Sequence, residues 1–125
     1  MVLLDPKIWG PHYWFFLHTV ALTYPNHPDA IIKKTYYNLI QNFHTFIPHE
    51  AHSIAFQKML VSYPIQSYLN NKDSLIRWTH FIHNEINVTL DKPIISYSDF
   101  FVKYYELYKT DSQHYHSLKK QIKHS

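Results

Sequence analysis

The scarcity of glycine is the feature that most limits what this chain can fold into. Gly10 is the only glycine among 125 residues. A sheet-rich fold with many tight turns is disfavoured, because such turns commonly need glycine. The same scarcity argues against the glycine-rich loops that hold phosphate groups or dinucleotides in other folds. Any nucleotide cofactor would have to be held by side chains on helices.

Length and composition indicate one compact domain. Of the 125 residues, 46% are hydrophobic and 18% are aromatic, which is ample material for a single core. The net charge of +3 is too weak to indicate a nucleic-acid partner. No apolar run reaches the length of about 18 residues that a membrane span needs, and no signal peptide is recognised. We therefore expect neither nucleic acid nor a membrane as a partner.

Hydrophobic spacing and proline-containing stops predict five helices. The first four run from about 11 to 23, 29 to 46, 49 to 62 and 74 to 89, and the fifth begins at Ser96 or Ser98. Tyr24-Pro25 and Tyr63-Pro64 end two of them, because proline disfavours helix in the residue before it. Asp73 or Ser74 is the expected cap of the fourth helix. The prediction is an all-α four-helix bundle plus a short fifth helix in a domain over 1–109, followed by a polar tail over 110–125.

Two stripes of polar side chains interrupt otherwise apolar helices. The early stripe consists of Trp14 and His18, and residues four apart are neighbours on a helix surface. The later stripe consists of His80, His83, Asn84 and Asn87. Buried polar groups are costly without partners, and a planar, hydrogen-bonding ligand such as a flavin would supply them. The plainer alternatives are a buried aromatic helix with one satisfied histidine, and a polar helix face exposed to water.

The spacing of these residues resembles a known family. W-G-x3-W-x3-H from Trp9 to His18, followed by H-N-x2-N-x4-K-P from His83 to Pro93, is similar to the Erv/ALR family of FAD-linked sulfhydryl oxidases. The resemblance covers roughly residues 8 to 105 and includes the helix order. It implies a helical bundle that holds FAD, commonly as a homodimer. Short members resemble those of large cytoplasmic DNA viruses, so a viral origin and a location in the infected cytoplasm or the virion are expected.

The resemblance also implies roles for individual residues. The implied FAD-binding residues are Gly10, Trp14, His18, His83, Asn84, Asn87, Lys92 and Tyr104. Those on the first helix would pack against the cofactor, with the glycine permitting close approach. Those on the fourth helix would contact its adenosine side. Lys92 would lie near the ribose or phosphates, and Tyr104 would cover the adenine. Flat rings stack favourably on one another, and a lysine offsets phosphate charge.

The chain departs from the family pattern at the redox-active pair. Where the family has C-x-x-C after a proline, this sequence has His49 and His52 after Pro48, and it contains no cysteine at all. The family reaction passes two electrons from a substrate dithiol through that disulfide to FAD and then to oxygen, forming hydrogen peroxide. Thiolates are required for that exchange. We therefore expect no intact catalytic residue and no dithiol relay, although dithiol proteins are possible partners by resemblance.

Other roles for the two histidines stay open. His49 and His52 are three apart and are weak candidates for metal ligands, with His44 or Glu50 as a further donor. Alternatively they only fill the space of the two cysteines. For the protein as a whole, a further alternative is a dimeric scaffold or binding protein without a redox role. The loss of the cysteines is compatible with a natural paralogue and with an engineered variant.

Overall fold

The computed structural model describes residues 4–109, which form helices and connecting loops without a strand. The α-helices are α1 (Pro6–Leu22), α2 (Ala30–Gln41), α3 (Glu50–Ser62), α4 (Lys72–Thr89) and α5 (Tyr97–Phe101). The predicted all-α architecture of a four-helix bundle with a short fifth helix is confirmed. Helices α1 to α4 belong to one compact unit that ends at Ile94, and α5 belongs to a second that begins at Ile95. The predicted tail over 110–125 lies outside the described residues.

Helix α1 begins five residues earlier than the sequence predicted. The side chain of Asp5 accepts a hydrogen bond from the backbone N–H of Lys7 at 2.9 Å, and Pro6 occupies the first helical position. Both features stabilise a helix start. Pro11, the predicted start, lies inside the helix. The prediction failed because proline disfavours a helix interior, whereas the cap and first turn ahead of it are strong enough to continue through it.

The boundaries of the other helices shift by shorter distances. The segment Phe43–Phe46, predicted as the end of the second helix, is a separate 3₁₀ turn. A second 3₁₀ turn at Ile65–Tyr68 was not predicted. Helix α4 starts at Lys72, and its cap is Asn71 rather than Asp73 or Ser74. The Asn71 side chain accepts a hydrogen bond from the backbone N–H of Ser74 at 2.8 Å.

Helix α4 is the central element of the first unit. It packs against α1 and against α3. Burying one large apolar side chain contributes about 1.5–3 kcal/mol, so the apolar face of α4 is a major source of stability. Its buried apolar residues are Leu75, Ile76, Trp78, Ile82 and Ile86. Thr79 and His83 lie on the same buried face, and the packing therefore brings two polar side chains into the core against α1.

The second unit contains α5 and the π-helical turn that follows it, Val102–Glu106. The Ser96 side chain accepts a hydrogen bond from the backbone N–H of Asp99 at 3.1 Å and caps α5. Of the two predicted starting residues, Ser96 is therefore the correct one. Phe100 and Tyr104 are buried, with ring centroids 5.3 Å apart.

None of the helices within residues 4–109 combines the length and the apolar character required to cross a membrane.

Candidate functional site

Helices α1 and α4 bring the two sequence stripes together. The indole of Trp14 stacks on the imidazole of His83, with ring centroids 3.8 Å apart and planes inclined by 7°. His18 is fully buried, and its ring lies 5.7 Å from that of Trp14 and 5.2 Å from that of His83. The three side chains form an aromatic cluster, defined here as Trp14, His18 and His83. Two motifs that are distant in sequence thus meet in one place.

A chain of hydrogen bonds fixes the orientation of the cluster. The Thr79 hydroxyl donates to the carbonyl oxygen of Ile76 at 2.8 Å. Because a hydroxyl has one proton, Thr79 Oγ1 accepts from Nδ1–H of His18, at 3.2 Å. His18 Nε2 is then an acceptor in the neutral ring, and it receives the Nδ1–H of His83 at 2.9 Å. Thr79 therefore sets which nitrogen of each histidine carries the proton.

The later stripe divides between two sides of α4. His83 faces the core, whereas His80 and Asn84 are half-buried and are hydrogen-bonded to each other at 3.1 Å. Asn87 is also half-buried, and its backbone carbonyl oxygen accepts a hydrogen bond from the backbone N–H of Lys92 at 2.7 Å. The Lys92 side chain is exposed. The structure therefore places the four residues along one helix, but only His83 in the aromatic cluster.

Two further predicted site residues stand apart from this cluster. A Cβ atom built on Gly10 meets nothing within 4 Å, so packing among the described residues does not itself require glycine there. Tyr104 belongs to the second unit. It is 5% exposed, and burial raises the pKa of its phenol.

His49 and His52 form a close pair at the start of α3. His49 is the N-cap, and its Nδ1 accepts from the backbone N–H of His52 at 3.4 Å. The Nδ1 atoms of the two rings are 2.8 Å apart and share a hydrogen bond. Burial, followed by the charges of His49 and Lys92, lowers the pKa of His52 from its ordinary value of 6.5. The neutral form of His52 is therefore favoured.

His52 borders a small apolar cavity between α1, α3 and α4. Its volume is about 30 Å³, and its lining includes Trp9, Tyr13, Trp14, His52, Phe56 and Ile86. Such a volume accommodates a water molecule but not a three-ring ligand. The Nε2 atom of His52 is buried and has no hydrogen-bond partner among residues 4–109. A larger planar group would require this cavity to widen.

The histidine pair has no support as a metal centre. Within residues 4–109, no group of three or more His, Cys, Asp or Glu side chains is arranged to hold a metal ion. His44 contributes its carbonyl oxygen to a hydrogen bond with the Ser53 hydroxyl at 2.9 Å. The imidazoles of His49 and His52 are hydrogen-bonded to each other.

An open apolar groove lies along α1, α2 and the 3₁₀ turn after α2. Its volume is about 460 Å³, and its lining residues are His12, Tyr13, Phe16, Leu39, Phe43 and Phe46. Phe16 is 49% exposed and Phe46 is 65% exposed. Large exposed aromatic side chains that lie together are typical of interaction surfaces.

Sequence reasoning missed two residues of the site. Thr79 lies four residues before His83, so the helical repeat could have placed it on the same face. The sequence indicates Trp9 only as part of the W-G-x3-W-x3-H motif, yet its ring lies 5.4 Å from that of His52, edge to face. No local pattern indicates that second contact, because it joins α1 to α3.

Comparisons with known proteins agree with these features. A model of the Erv1/Alr family matches residues 11–106. A probable FAD-linked sulfhydryl oxidase of Acanthamoeba polyphaga mimivirus is 31% identical over 97 residues, which are 77% of this chain and 68% of that protein. An FAD-linked sulfhydryl oxidase of African swine fever virus is 33% identical over 97 residues, covering 74% of this chain and 76% of that protein.

Solved structures show the same fold. The FAD-binding domain of Erv1 from Saccharomyces cerevisiae aligns with a TM-score of 0.74 at 24% identity, covering 82% of this chain and 96% of that one. The crystal structure of the yeast Erv1 core also aligns with a TM-score of 0.74, covering 84% and 87% of the two chains. With the family model matching most of its length, this chain belongs to the Erv1/Alr family.

Proposed function

We propose that this chain binds FAD within its helical bundle but does not carry out the dithiol relay. The observation that carries the proposal is the stacking of Trp14 on His83, at 3.8 Å between centroids, since the two residues come from separate motifs. The relatives at 31% and 33% identity are named FAD-linked sulfhydryl oxidases, which supports the same cofactor here. Both are viral proteins, which supports a viral origin.

The chemistry of the site fits such a cofactor. Flat rings from α1 and α4 can stack on a planar cofactor through the faces that they do not present to each other, and Asn84 and Asn87 are half-buried. The Nε2 atom of His52 is a buried polar atom in need of a partner. Lys92 is an exposed cation at the end of α4, suited to a phosphate. The cavity of about 30 Å³ is the one feature that must enlarge.

Each predicted residue would have a simple binding role. Trp14 and His18 would hold the cofactor from α1, with Gly10 beside them. His83, Asn84 and Asn87 would hold the adenosine side from α4. The roles of Lys92 and Tyr104 stay predictions. When bound, the flavin would supply two-electron redox chemistry. The contribution of Thr79 is to keep His18 and His83 in one fixed tautomer.

The missing relay follows from the side-chain chemistry. Exchange with a substrate dithiol requires a thiolate in the protein, and the chain has no cysteine. His49 and His52 cannot form a disulfide, and the hydrogen bond between their rings does not replace one. The chain therefore does not transfer electrons from a dithiol to a flavin.

We also propose that the chain forms a homodimer through α1 and α2. The apolar groove and the exposed Phe16 and Phe46 provide a surface that a second copy could cover. This interface would be present whether or not the protein has a redox role, so it is compatible with a scaffold function as well.

Restoring the cysteines tests the functional proposal. With dithiothreitol as the substrate, the native chain should consume no oxygen above background, whereas the double variant His49→Cys/His52→Cys should consume oxygen and produce hydrogen peroxide. Single variants should stay inactive, because one thiol cannot form the internal disulfide. Thiol-dependent oxygen consumption by the native chain would contradict the proposal.

A further inference from the structure

The histidine pair at the start of α3 has a property that space-filling does not explain. We propose that His52 Nε2 accepts a hydrogen bond from a ring N–H of the bound flavin, so that the pair positions the cofactor that the two cysteines would otherwise serve. This inference rests on the proposed FAD binding. It assigns a binding role to two histidines that stand where the family has its redox-active cysteines.

The hydrogen bonds determine which nitrogen of His52 is the acceptor. His49 Nδ1 accepts from the backbone N–H of His52, so it presents a lone pair towards α3. The contact of 2.8 Å between the two Nδ1 atoms then requires the proton on Nδ1 of His52. In the neutral ring, the remaining nitrogen of His52 carries a lone pair. Nε2 is therefore an acceptor.

His52 borders the cavity, where a ligand could reach its Nε2 atom, and no described protein group bonds to that atom. The atom is buried without a partner among residues 4–109, and an unsatisfied buried acceptor is destabilising. His52 lines the apolar cavity. Two neighbours that could donate are already engaged, since Trp9 Nε1 donates to the Leu4 carbonyl and the Tyr13 hydroxyl donates to the Phe46 carbonyl.

The chemistry of the cavity selects the kind of group that would complete it. The lining is almost entirely aromatic and aliphatic, and His52 brings a buried acceptor without a described partner to it. A flat, largely apolar ring system with an N–H at its rim matches both features, and the isoalloxazine ring is such a group. A carboxylate or phosphate does not match, because it has no proton to donate to a neutral imidazole.

The surroundings of His52 favour its neutral form, in which Nε2 is an acceptor. Burial lowers the pKa of His52, and the electrostatic interactions with His49 and Lys92 lower it further. The side chains that line the cavity beside it from α1 include Trp9 and Tyr13. Among the described residues, the lining of the cavity contains no carboxylate, and Glu50, the acidic residue in the first turn of α3, is exposed. Protonation at acid pH would convert the acceptor into a donor.

Flavin titration of the full chain tests the proposal. FAD is added to flavin-stripped protein at pH 7.5, and the dissociation constant is read from the change in flavin absorbance and fluorescence. His52→Phe keeps a flat ring but removes the acceptor, and it should weaken FAD binding about tenfold, the effect of losing one hydrogen bond. His52→Gln places an amide oxygen near the position of Nε2 and should restore most of the affinity. The matched control is His44→Phe, because His44 is half-buried but does not line the cavity.

The outcomes separate this inference from the functional proposal. Native affinity in the His52→Phe variant, with FAD still bound, overturns the role of His52 and leaves FAD binding intact. Failure of the native chain to bind FAD overturns both. If His52→Phe does not fold, the pH dependence decides. FAD affinity of the native chain should fall more steeply with acidification below pH 6.5 than that of His52→Gln, and parallel profiles would contradict the proposal.

Discussion

At the scale of single residues, the buried histidines depend on partners that set their protonation. His18 is fully buried, yet it is satisfied on both sides, by Thr79 and by His83. A hydrogen-bonded group can be buried at little cost, whereas an orphaned one is expensive. Thr79 is therefore more than a filler of space between α1 and α4.

Replacing Thr79 tests that dependence. Thr79→Val keeps the shape but leaves Nδ1–H of His18 without its acceptor, and it should lower the free energy of unfolding by about 1–3 kcal/mol. Thr79→Ser keeps the hydroxyl and should be much closer to the native protein. Urea denaturation followed by circular dichroism measures both. Equal stability of the Val and native chains would show that the bond to His18 contributes nothing.

The lowered pKa of His52 predicts a change in stability with pH. Its pKa in the folded protein lies below the ordinary 6.5, so the unfolded chain binds more protons between those two values. The stabilisation is fully present above pH 6.5 and is lost as the pH falls through the folded pKa. Urea midpoints of the native chain should therefore drop more between pH 7 and acid pH than those of His52→Phe. Identical slopes would contradict the assignment.

At the scale of helices, the cap residues decide where the site-bearing elements begin. Asn71 satisfies a free N–H at the start of α4, the helix that carries Thr79 and His83. Asn71→Ala should cost about 0.5–2 kcal/mol of stability. The neighbouring exposed Asn70 provides the control, since Asn70→Ala removes no cap. A thermal melt compares the two, and equal midpoints would refute the capping role.

Helix boundaries were predictable where they depend on neighbouring residues in the sequence, and less so where they depend on residues farther away. Tyr63-Pro64 ended α3 as expected, because proline acts on its immediate neighbour. The predicted start at Pro11 was wrong, because the free-energy cost of a proline inside a helix has to be compared with the stabilisation from a cap six residues earlier. The family resemblance predicts that Trp14 and His83 each contact the cofactor, but it does not predict that their rings stack directly on each other. The orphaned Nε2 of His52 could not be foreseen, since burial of one ring nitrogen depends on the packing of three helices.

At the scale of the whole molecule, the apolar groove on α1 and α2 predicts self-association. Phe16→Glu places a charge among the exposed aromatic residues and should convert a dimer into a monomer, because burying an unpaired charge is strongly unfavourable. Sedimentation equilibrium measures the mass. Val61→Glu is the control, since Val61 is 80% exposed on α3 and does not line the groove. A native chain that is monomeric at high concentration would contradict the proposed dimer.

FAD binding is tested most directly by the visible absorbance spectrum of the purified chain, prepared with FAD present and then freed of excess. The native protein should be yellow, with the absorbance at about 450 nm that bound flavins show. The His83→Ala and Trp14→Ala variants should be colourless while circular dichroism still reports a helical bundle. A native chain that is helical but colourless, and whose melting temperature FAD does not raise, would contradict the proposal.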